Sequence, residues 1–481
     1  MTLNTWEIRS SNPKPDTFMD TSTIAAIATP IGSGGIGIIR ISGSNALPIA
    51  ASLFVRSSTR KPGKNPADFE SHRLYHGHIL DAQKDRIVDE VLLVFMKSPR
   101  SYTREDVAEI HAHSGPAVLR KILELVLKKG ARLAEPGEFT CRAFLNGRID
   151  LTQAEAVTDI ISAGTEKAME AAAAQMTGGL KQQITEIREI LLNILVQTEA
   201  AIDFPEDAGE EIPVDSIPEI LRDKVSLPLK KLADRYDEAH VLREGLRLII
   251  AGKPNVGKSS LMNRLLRKDR AIVTPIPGTT RDMIEENLVI RGIPVLLIDT
   301  AGLHESDDPV EKIGMEKSRE RIQNADLLLF MTDMENPLSA EDYDIFRTVS
   351  GKKLIWVINK SDLASDREPE VPELWDDIPR IIISAKYDHG IGELRDLIAE
   401  TVVKSAFACE SAIIPNLRHK QAIEKSLHAV NTAKEGMETA IPFELISMDI
   451  REAADLLGEI IGLTIREDVL DRIFSTFCIG K

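Results

Sequence analysis

Apolar residues follow two different patterns along this chain, and the change from one to the other predicts its domains. Between about residues 23 and 146, short apolar runs such as Gly37–Ile41 and Val88–Met96 predict strands, and Gly115–Lys129 predicts a helix. Strands mixed with helices over this length indicate a compact α/β domain.

Helical periodicity dominates two later regions. Apolar residues recur at helical spacing from about residue 150 to 201 and through 217–243, and the pattern returns in 418–438 and 444–461. Two helical regions that flank a domain able to fold alone predict an insertion into a discontinuous helical domain. The predicted parts are a disordered extension at 1–20, the α/β domain at 21–146, helical parts at 147–243 and 405–481, and an inserted domain at 244–404.

The inserted domain begins with a glycine-rich loop, Gly252–Ser259, of the pattern G-x-x-x-x-G-K-S. The loop follows the apolar run Leu246–Ile250 and precedes the helical pattern Ser260–Leu266. Glycines let successive backbone N–H groups turn towards an anion, and the helix N-terminus adds positive partial charge. Lys258 can reach the β- and γ-phosphates, and the Ser259 hydroxyl can bind Mg²⁺. The sequence therefore predicts a P-loop.

Later segments predict that the nucleotide is GTP. Asn359–Asp362 closes the apolar run Leu354–Ile358, and the Asp362 carboxylate can accept from the N1 and N2 donors of guanine, a pair that adenine lacks. Ser384–Lys386 fits a second loop beside the base, whose backbone N–H can meet O6. For Asn359–Asp362 alone a polar loop is the alternative, but its position after a P-loop favours guanine recognition.

Two further segments predict a Mg²⁺ and γ-phosphate site. Asp299 can hold Mg²⁺ through water, the Gly302 N–H can sense the γ-phosphate, and Thr279 and Thr280 supply hydroxyls in a segment typical of a mobile switch. The predicted GTP-binding residues are Asn255, Val256, Gly257, Lys258, Ser259, Ser260, Thr274, Pro275, Ile276, Pro277, Gly278, Thr279, Thr280, Asp299, Thr300, Ala301, Gly302, Asn359, Lys360, Asp362, Ser384, Ala385 and Lys386, with Ser259 and Thr280 as Mg²⁺ ligands.

The hydrolytic machinery departs from the common pattern at Leu303. Many GTPases carry a glutamine there that orients water, and Leu303 has no group to do so. Asn255 offers an amide oxygen near the phosphates, and with carbonyls from Thr274–Thr279 it can cage a monovalent cation, for which oxygen ligands are suited. The alternative for Asn255 is a turn residue after Pro254.

Composition and charge narrow the class of protein. The 481 residues exceed one ordinary domain, and 43% hydrophobic with 28% charged residues is typical of a soluble globular protein. The net charge of −16 argues against nonspecific nucleic-acid binding through the whole surface, and the basic runs 56–64 and 264–270 are interpreted as solvated faces. Three widely spaced cysteines, with no signal-peptide pattern and no run long enough for a membrane span, predict a cytoplasmic protein.

The last residues, Cys478-Ile-Gly-Lys481, complete a resemblance to a known family. A P-loop domain inserted in a helical domain, behind an α/β domain and ending in C-x-G-K, resembles the MnmE/TrmE tRNA-modification GTPases over about residues 23–481. The resemblance implies an N-terminal α/β domain that binds folate and forms a homodimer, a discontinuous helical domain, and a Ras-like GTPase domain with a mostly parallel sheet and flanking helices. Supporting segments are Ile38–Gly43, Ser101–Asp106, Pro136–Phe139, Arg142–Asn146, Ala201–Pro205 and Pro277–Asp282.

The resemblance also implies a reaction and its partners. With the FAD-dependent partner MnmG, in an expected heterotetramer, the family installs a carboxymethylaminomethyl group at C5 of the wobble uridine of certain tRNAs. The one-carbon donor is a tetrahydrofolate of the 5,10-methylene or 5-formyl type. Its contacts carry over to Arg40, Glu109, Arg148 and Lys481, where Arg148 replaces a lysine common in the family. Arg40 and Glu109 alone also fit an ordinary ion pair, and for Cys478 the roles of nucleophile, redox centre and packing residue stay open.

In that family K⁺ replaces the arginine finger and orders the switch so that two GTPase domains dimerise. The resemblance implies that K⁺ is held by Asn255, Thr279 and the carbonyls of Thr274 and Ile276. Glu311 matches the family's water-activating glutamate, although an exposed residue in a first helical turn is the alternative on sequence alone. Glu311 and Lys258 are thus the predicted catalytic residues.

Two other functions use the same GTPase motifs. A GTP-dependent ribosome-assembly factor usually carries a basic RNA-binding domain, which the sequence does not show, and the acidic net charge and C-x-G-K terminus also weigh against it. A scaffold whose GTPase only gates assembly has the same sequence pattern as the modification enzyme.

Overall fold

The chain folds into two compact units, Met1–Glu155 with Ile461–Lys481, and Ala156–Ile460. The computed structural model describes residues 21–30, 32, 34–56, 69–203, 216–269, 285–299, 325–363, 369–402, 413–439, 441–465 and 467–481. The extension predicted at 1–20 lies outside these residues, and the exact domain boundaries stay predictions.

A seven-stranded sheet forms the first unit. Its strands are β1 (Ile24–Ile27), β2 (Ile36–Ser42), β3 (Phe54–Arg56), β4 (Leu74–Asp81), β5 (Arg86–Met96), β6 (Val107–His113) and β7 (Arg132–Leu133). They lie in the order β3-β4-β5-β6-β2-β1-β7, antiparallel except where β1 meets β7. The strands predicted within β2 and β5 are confirmed.

The larger core of this unit covers one face of the sheet, and a smaller buried cluster of Ile24, Ala26, Ala134 and Phe139 covers the β1 end of the other face. Ile39 and Ile41 of β2 are fully buried in the larger core with residues of the helices Ala46–Leu53 and Pro116–Lys128, and the second helix confirms the one predicted from periodicity. Successive strand residues face opposite sides, so Arg40 points to the other face. It lies directly across from Glu109 of β6 in the strand register.

The C-terminal residues belong to the first unit. The helix Glu467–Phe474 leads into a turn whose last residues run beside β1. Gly480 has φ of +93°, and a Cβ there would lie 2.4 Å from the Ile27 carbonyl oxygen, so only glycine fits without displacement. The C-x-G-K terminus is therefore packed against the sheet of the unit that carries Arg40.

Helices make up the first part of the second unit, as the periodicity predicted. Thr177 and Gly178 separate two helices, and the second of them ends at Asp203, two residues before Pro205. Pro228 cannot donate to the Lys224 carbonyl, and the residues before it form a π turn in which the Leu227 N–H donates to Arg222 instead. The helices before the inserted domain are Leu151–Ser162, which begins in the first unit, Glu166–Met176, Gly179–Asp203, Ile217–Ile220 and Leu227–Glu244, and those after it are Leu417–Glu438 and Phe443–Ile461.

A six-stranded sheet lies between the two helical stretches. Its strands are β8 (Leu246–Ala251), β9 (Glu285–Ile290), β10 (Ile293–Asp299), β11 (Leu327–Asp333), β12 (Leu354–Asn359) and β13 (Arg380–Ile382). They lie in the order β13-β12-β11-β8-β10-β9, all parallel except β9. Leu248 and Ile250 of β8 pack on one face and Ile249 and Ala251 on the other, which explains the continuous apolar run in the sequence.

Parallel strands end at the same edge of a sheet, and here that edge gathers the predicted motifs. The P-loop follows β8, Asp299 ends β10, Asn359 ends β12, and Ser384 comes shortly after β13. Ligands of open α/β sheets bind at this edge.

Candidate functional site

The glycines of the P-loop occupy positions that no other residue can take without displacement. Gly252 has φ of +155°, and a Cβ would lie 2.3 Å from the Met331 carbonyl oxygen. Gly257 has φ of +102°, and a Cβ would lie 2.3 Å from Asn359 Nδ2. The loop is thus a backbone cradle pressed against the ends of β11 and β12, with the helix Lys258–Asp269 starting at its rim.

Lys258 lies over the cradle. Its Nζ donates to the carbonyls of Gly252 at 2.6 Å and Lys253 at 2.8 Å. Asn255 has left-handed backbone with φ of +64°, and its side chain is exposed at the loop tip. The Ser259 and Ser260 side chains are exposed in the first turn of the helix, where a hydroxyl can reach a metal bound to phosphate.

A cavity of about 460 Å³ opens beside the P-loop, and the predicted base-recognition residues other than Ser384 line it. Asn359 is buried and bridges two loops, since its Nδ2 donates to the Val256 carbonyl at 2.8 Å and its Oδ1 accepts from the Ala385 N–H at 3.0 Å. The Ser384 hydroxyl donates to Asp362 at 2.6 Å. The lining residues are Asn255, Gly257, Ser260, Asn263, Arg264, Arg267, Asn359, Lys360, Asp362, Leu363, Ala385 and Lys386.

Part of the predicted GTP site lies outside the described residues. This holds for Thr274, Pro275, Ile276, Pro277, Gly278, Thr279, Thr280, Thr300, Ala301, Gly302, Leu303 and Glu311, and for the side chain of Asp299.

A second group of predicted residues meets on the face of the first sheet opposite its larger core. Arg40 Nε donates to Glu109 Oε1 at 2.8 Å, and His111 Nε2 lies 3.3 Å from Glu109 Oε2. Burial alone would raise the pKa of Glu109, but the hydrogen bond with His111 and the charge and hydrogen bond of Arg40 outweigh it and hold the pKa below its usual value. Glu109 is therefore an ionised, oriented acceptor.

The Tyr102 ring lies between Arg148 and this group, in contact with both Arg148 and Arg40. The Arg148 guanidinium lies 4.6 Å from the centre of the Tyr102 ring and donates to the Tyr102 carbonyl at 2.8 Å, and Arg40 lies 5.3 Å from the same ring. The Tyr102 hydroxyl is fixed by Thr140 at 2.9 Å. An aromatic ring beside cations and a carboxylate can recognise a planar heterocycle that carries an anionic tail.

Lys481 is close enough to this group for the charges of Arg40 and Glu109 to affect its pKa. Burial, together with the charge of Arg40, lowers its pKa from the usual value, while Cys478 and Glu109 act in the opposite direction. Cys478 is exposed, whereas Cys141 is buried, and burial together with nearby Glu138 raises the pKa of the Cys141 thiol to about 12. Of these two thiols, only Cys478 is accessible for chemistry.

Sequence reasoning did not single out several residues that support these sites. Lys253 Nζ pairs with buried Asp342 at 2.6 Å, and Arg264 donates to the loop beside the base cavity. Their partners lie about 90 and 120 residues away along the chain, so no local pattern points to them. Tyr102 lies within one of the resemblance segments but carried no predicted role.

The strand order, the glycine cradle with its lysine, and the cavity lined by Asn359 and Asp362 define a P-loop GTPase domain. The first unit and the helices add two further domains that this class of enzyme does not require.

Known families match both of these additional parts. Residues 23–148 match the family described as GTP-binding protein TrmE N-terminus, and residues 151–478 match the MnmE helical domain. The chain is 46% identical to the tRNA modification GTPase MnmE of Alkaliphilus oremlandii, over 95% of this chain and 99% of that protein. It is 47% identical to that of Clostridioides difficile, over 96% and 100%. Aquifex aeolicus Era bound to GDP.AlF4- is a similar solved structure, with 28% identity, TM-score 0.28, and 38% and 66% covered.

The chain therefore belongs to the MnmE family of tRNA modification GTPases, on the strength of relatives that it matches over nearly their full length. Among the described helices, none combines the length and apolar character that a bilayer crossing requires.

Proposed function

We propose that this protein hydrolyses GTP in a Mg²⁺- and K⁺-dependent cycle and uses that cycle to drive modification of the tRNA wobble uridine. One observation carries the proposal. The same chain has a P-loop cavity lined by the guanine-recognition residues Asn359 and Asp362 and, in its other unit, a cluster of cations around Glu109 and Tyr102. Signalling GTPases need only the first of these.

The P-loop fits the proposed ions. The glycine cradle leaves no space for a Cβ at Gly252 or Gly257, and Ser259 presents a hydroxyl at its rim for Mg²⁺, with Thr280 as the other proposed ligand. Exposed Asn255 offers an amide oxygen, a donor suited to K⁺, and Thr274, Ile276 and Thr279 complete the proposed set. Bound K⁺ would supply positive charge to the transition state. Lys258 binds phosphate, and Glu311 orients water.

The cluster in the first unit fits a tetrahydrofolate one-carbon donor. Glu109 is an ionised acceptor for the amide and amine edge of a pterin, and Tyr102 offers a ring face. Arg148 and Lys481 add cations for the glutamate tail, and exposed Cys478 lies on the C-terminal segment that carries Lys481. A homodimer, a cytoplasmic location and an MnmG-like FAD protein as partner are further parts of the proposal.

The cation dependence is tested by GTP turnover in K⁺ and in Na⁺ at equal ionic strength. We expect faster turnover in K⁺ and loss of this difference in Asn255→Ala, because that change removes a proposed cation ligand. Equal wild-type rates in the two salts would exclude K⁺ catalysis and leave GTP binding intact.

The modification role is tested by nucleoside analysis of tRNA from a strain that lacks the protein. We expect loss of the carboxymethylaminomethyl group at wobble uridines and its return when the wild-type chain is supplied. Arg40→Met is expected to restore GTP turnover but not the modification. Unchanged wobble uridines in the deletion strain would exclude this function and favour a ribosome-assembly or scaffold GTPase.

A further inference from the structure

Arg264 holds the loop that faces the proposed guanine base. It lies in the second turn of the helix Lys258–Asp269, half-buried, on the wall of the nucleotide cavity. Its Nε donates to the Ala385 carbonyl at 2.9 Å, and its Nη2 donates to the Lys386 carbonyl. A guanidinium is a rigid planar fork of donors, so two bonds to adjacent carbonyls fix the planes of two successive peptides.

The opposite side of the same loop is held by Asn359. Its Oδ1 accepts from the Ala385 N–H, while its Nδ2 donates to Val256 in the P-loop. Arg264 belongs to the helix that continues from the P-loop. The P-loop, Asn359, the loop and Arg264 therefore form a closed ring of contacts around one end of the cavity.

These contacts fix the part of the loop that would face one edge of the purine. The carbonyl and the N–H of a trans peptide point in opposite directions, so a bond that holds the Ala385 carbonyl directs the Lys386 N–H away from Arg264. Ala385 and Lys386 line the cavity together with Asp362. We propose that Arg264 is a positioning residue that presets the backbone donors of this loop for the 6-oxygen of guanine. The proposal rests on GTP being the nucleotide that this chain binds.

The two edges of the base can be tested separately. Asp362 is suited to the N1 and N2 donors, and the loop is suited to the 6-oxygen. ITP lacks only the 2-amino group, and 6-thio-GTP differs from GTP only at position 6, where sulfur is a weaker acceptor. Loss of Arg264 should therefore weaken discrimination at position 6 and leave discrimination at position 2 unchanged.

The experiment measures displacement of a fluorescent GDP analogue from the full chain by GTP, 6-thio-GTP and ITP. In Arg264→Leu we expect GTP binding to weaken by about tenfold, because a charged hydrogen-bond clamp is lost. We expect the preference for GTP over 6-thio-GTP to fall by about threefold or more while the preference over ITP stays at the wild-type value.

Two variants separate geometry from charge. Arg267→Leu removes a cation from the same cavity wall, and we expect it to change the affinities for all three nucleotides by one common factor. Arg264→Lys keeps the charge without the fork, and we expect it to resemble Arg264→Leu in its preferences. If Arg264→Leu does not fold, Arg264→Gln, which has a single neutral amide in place of the charged fork, takes its place with the same expected direction.

The proposal is overturned if the preference for GTP over 6-thio-GTP is the same in wild type and Arg264→Leu, or if Arg264→Lys restores it fully. A wild-type chain that binds no guanine nucleotide would instead overturn the proposed function itself.

Discussion

The ion pair between Lys253 and Asp342 fixes the P-loop from outside the nucleotide cavity. Lys253 Nζ lies 2.6 Å from Asp342 Oδ2, and the Asp342 side chain is only 1% exposed. The same carboxylate accepts from the N–H and hydroxyl of Ser339 and so caps the helix Ala340–Val349. Removing one partner of such a pair leaves an uncompensated buried charge.

We predict that Lys253→Met lowers the free energy of unfolding by about 3 kcal/mol, because Asp342 then stays charged in a buried site. Adding Asp342→Asn should recover part of the loss, which gives a coupling energy of about 1–3 kcal/mol in a double-mutant cycle. Urea denaturation measures both quantities. Lys353→Met removes an exposed lysine just before β12 of the same domain and serves as the control. Additive effects of the two changes would contradict a direct interaction.

Glu109 gives the first unit a predictable response to acid. Burial raises its pKa, but His111 and Arg40 outweigh that effect, so the folded-state pKa lies below the usual 4.5. Ionised Glu109 therefore stabilises the fold above about pH 4.5, and this contribution is lost as the pH falls through the folded-state pKa.

We predict that wild type has a higher unfolding free energy than Glu109→Gln. This difference should be largest above about pH 5 and should shrink as the pH falls towards about 3. Urea denaturation across this range measures the difference. Glu135→Gln, at an exposed glutamate of the same unit, serves as a control for general charge effects. A difference that does not change with pH would show that the contribution does not come from ionisation.

Residues such as Lys258, Asn359 and Asp362 could be predicted from the sequence because each belongs to a contiguous motif with a fixed geometry. Arg264 was interpreted as part of a solvated basic face, and the structure instead places it half-buried against a distant loop. Helical periodicity shows which side of a helix faces the core, but it does not show which loop lies across from a polar side chain.

At the scale of elements, three glycines of the inserted domain distinguish the cost of a left-handed backbone from the cost of a Cβ clash. Gly257 combines a left-handed φ with a Cβ clash, Gly292 has a left-handed φ of +80° with nothing within 4 Å, and Gly351 has neither constraint. The first lies in the P-loop, the second between β9 and β10, and the third before β12.

We predict that alanine at these positions lowers the unfolding free energy in the order Gly257, Gly292, Gly351, with about 3, 1 and less than about 0.5 kcal/mol. Only Gly257→Ala should abolish nucleotide binding, because its Cβ would displace Asn359. Denaturation and fluorescent-nucleotide titration measure the two effects. Nucleotide binding by Gly257→Ala at wild-type affinity would contradict the cradle.

Strands and helices were the most predictable level. The apolar run of β8 and the helix before Asp203 could be located from local pattern, because burial on both faces or on one stripe leaves a periodic trace. Strand order could not be located in this way, since β8 lies between β10 and β11 and each pairing joins residues far apart in sequence.

At the scale of the whole molecule, Arg243 ties the inserted domain to the helices of the same unit. Its Nη2 lies 2.5 Å from Asp159 Oδ2, and its Nη1 donates to Gln175 Oε1 at 3.3 Å and to the Ile414 carbonyl at 3.2 Å. Arg243 lies just before β8 and Ile414 follows the last helix of the inserted domain, Ile391–Val402. One side chain thus joins the entry and the exit of that domain to two helices.

We predict that Arg243→Met changes GTP turnover by less than about twofold but lowers the proposed wobble-uridine modification several-fold, because the change loosens the connection and Arg243 does not line the nucleotide cavity. Turnover assays and tRNA nucleoside analysis measure the two effects. Lys231→Met, which removes an exposed lysine from the same helix, should change neither. Equal losses of turnover and modification would contradict a role in coupling.

The sequence by itself determined the elements, the P-loop and the motifs for guanine, since each is encoded within a few neighbouring residues. Tertiary structure decided what surrounds them. It placed Glu109 across from Arg40, Tyr102 beside Arg148, the C-terminal glycine against β1, and Arg264 behind the base loop. These contacts join segments separated by tens to hundreds of residues, and only the packing of strands and helices brings such segments together.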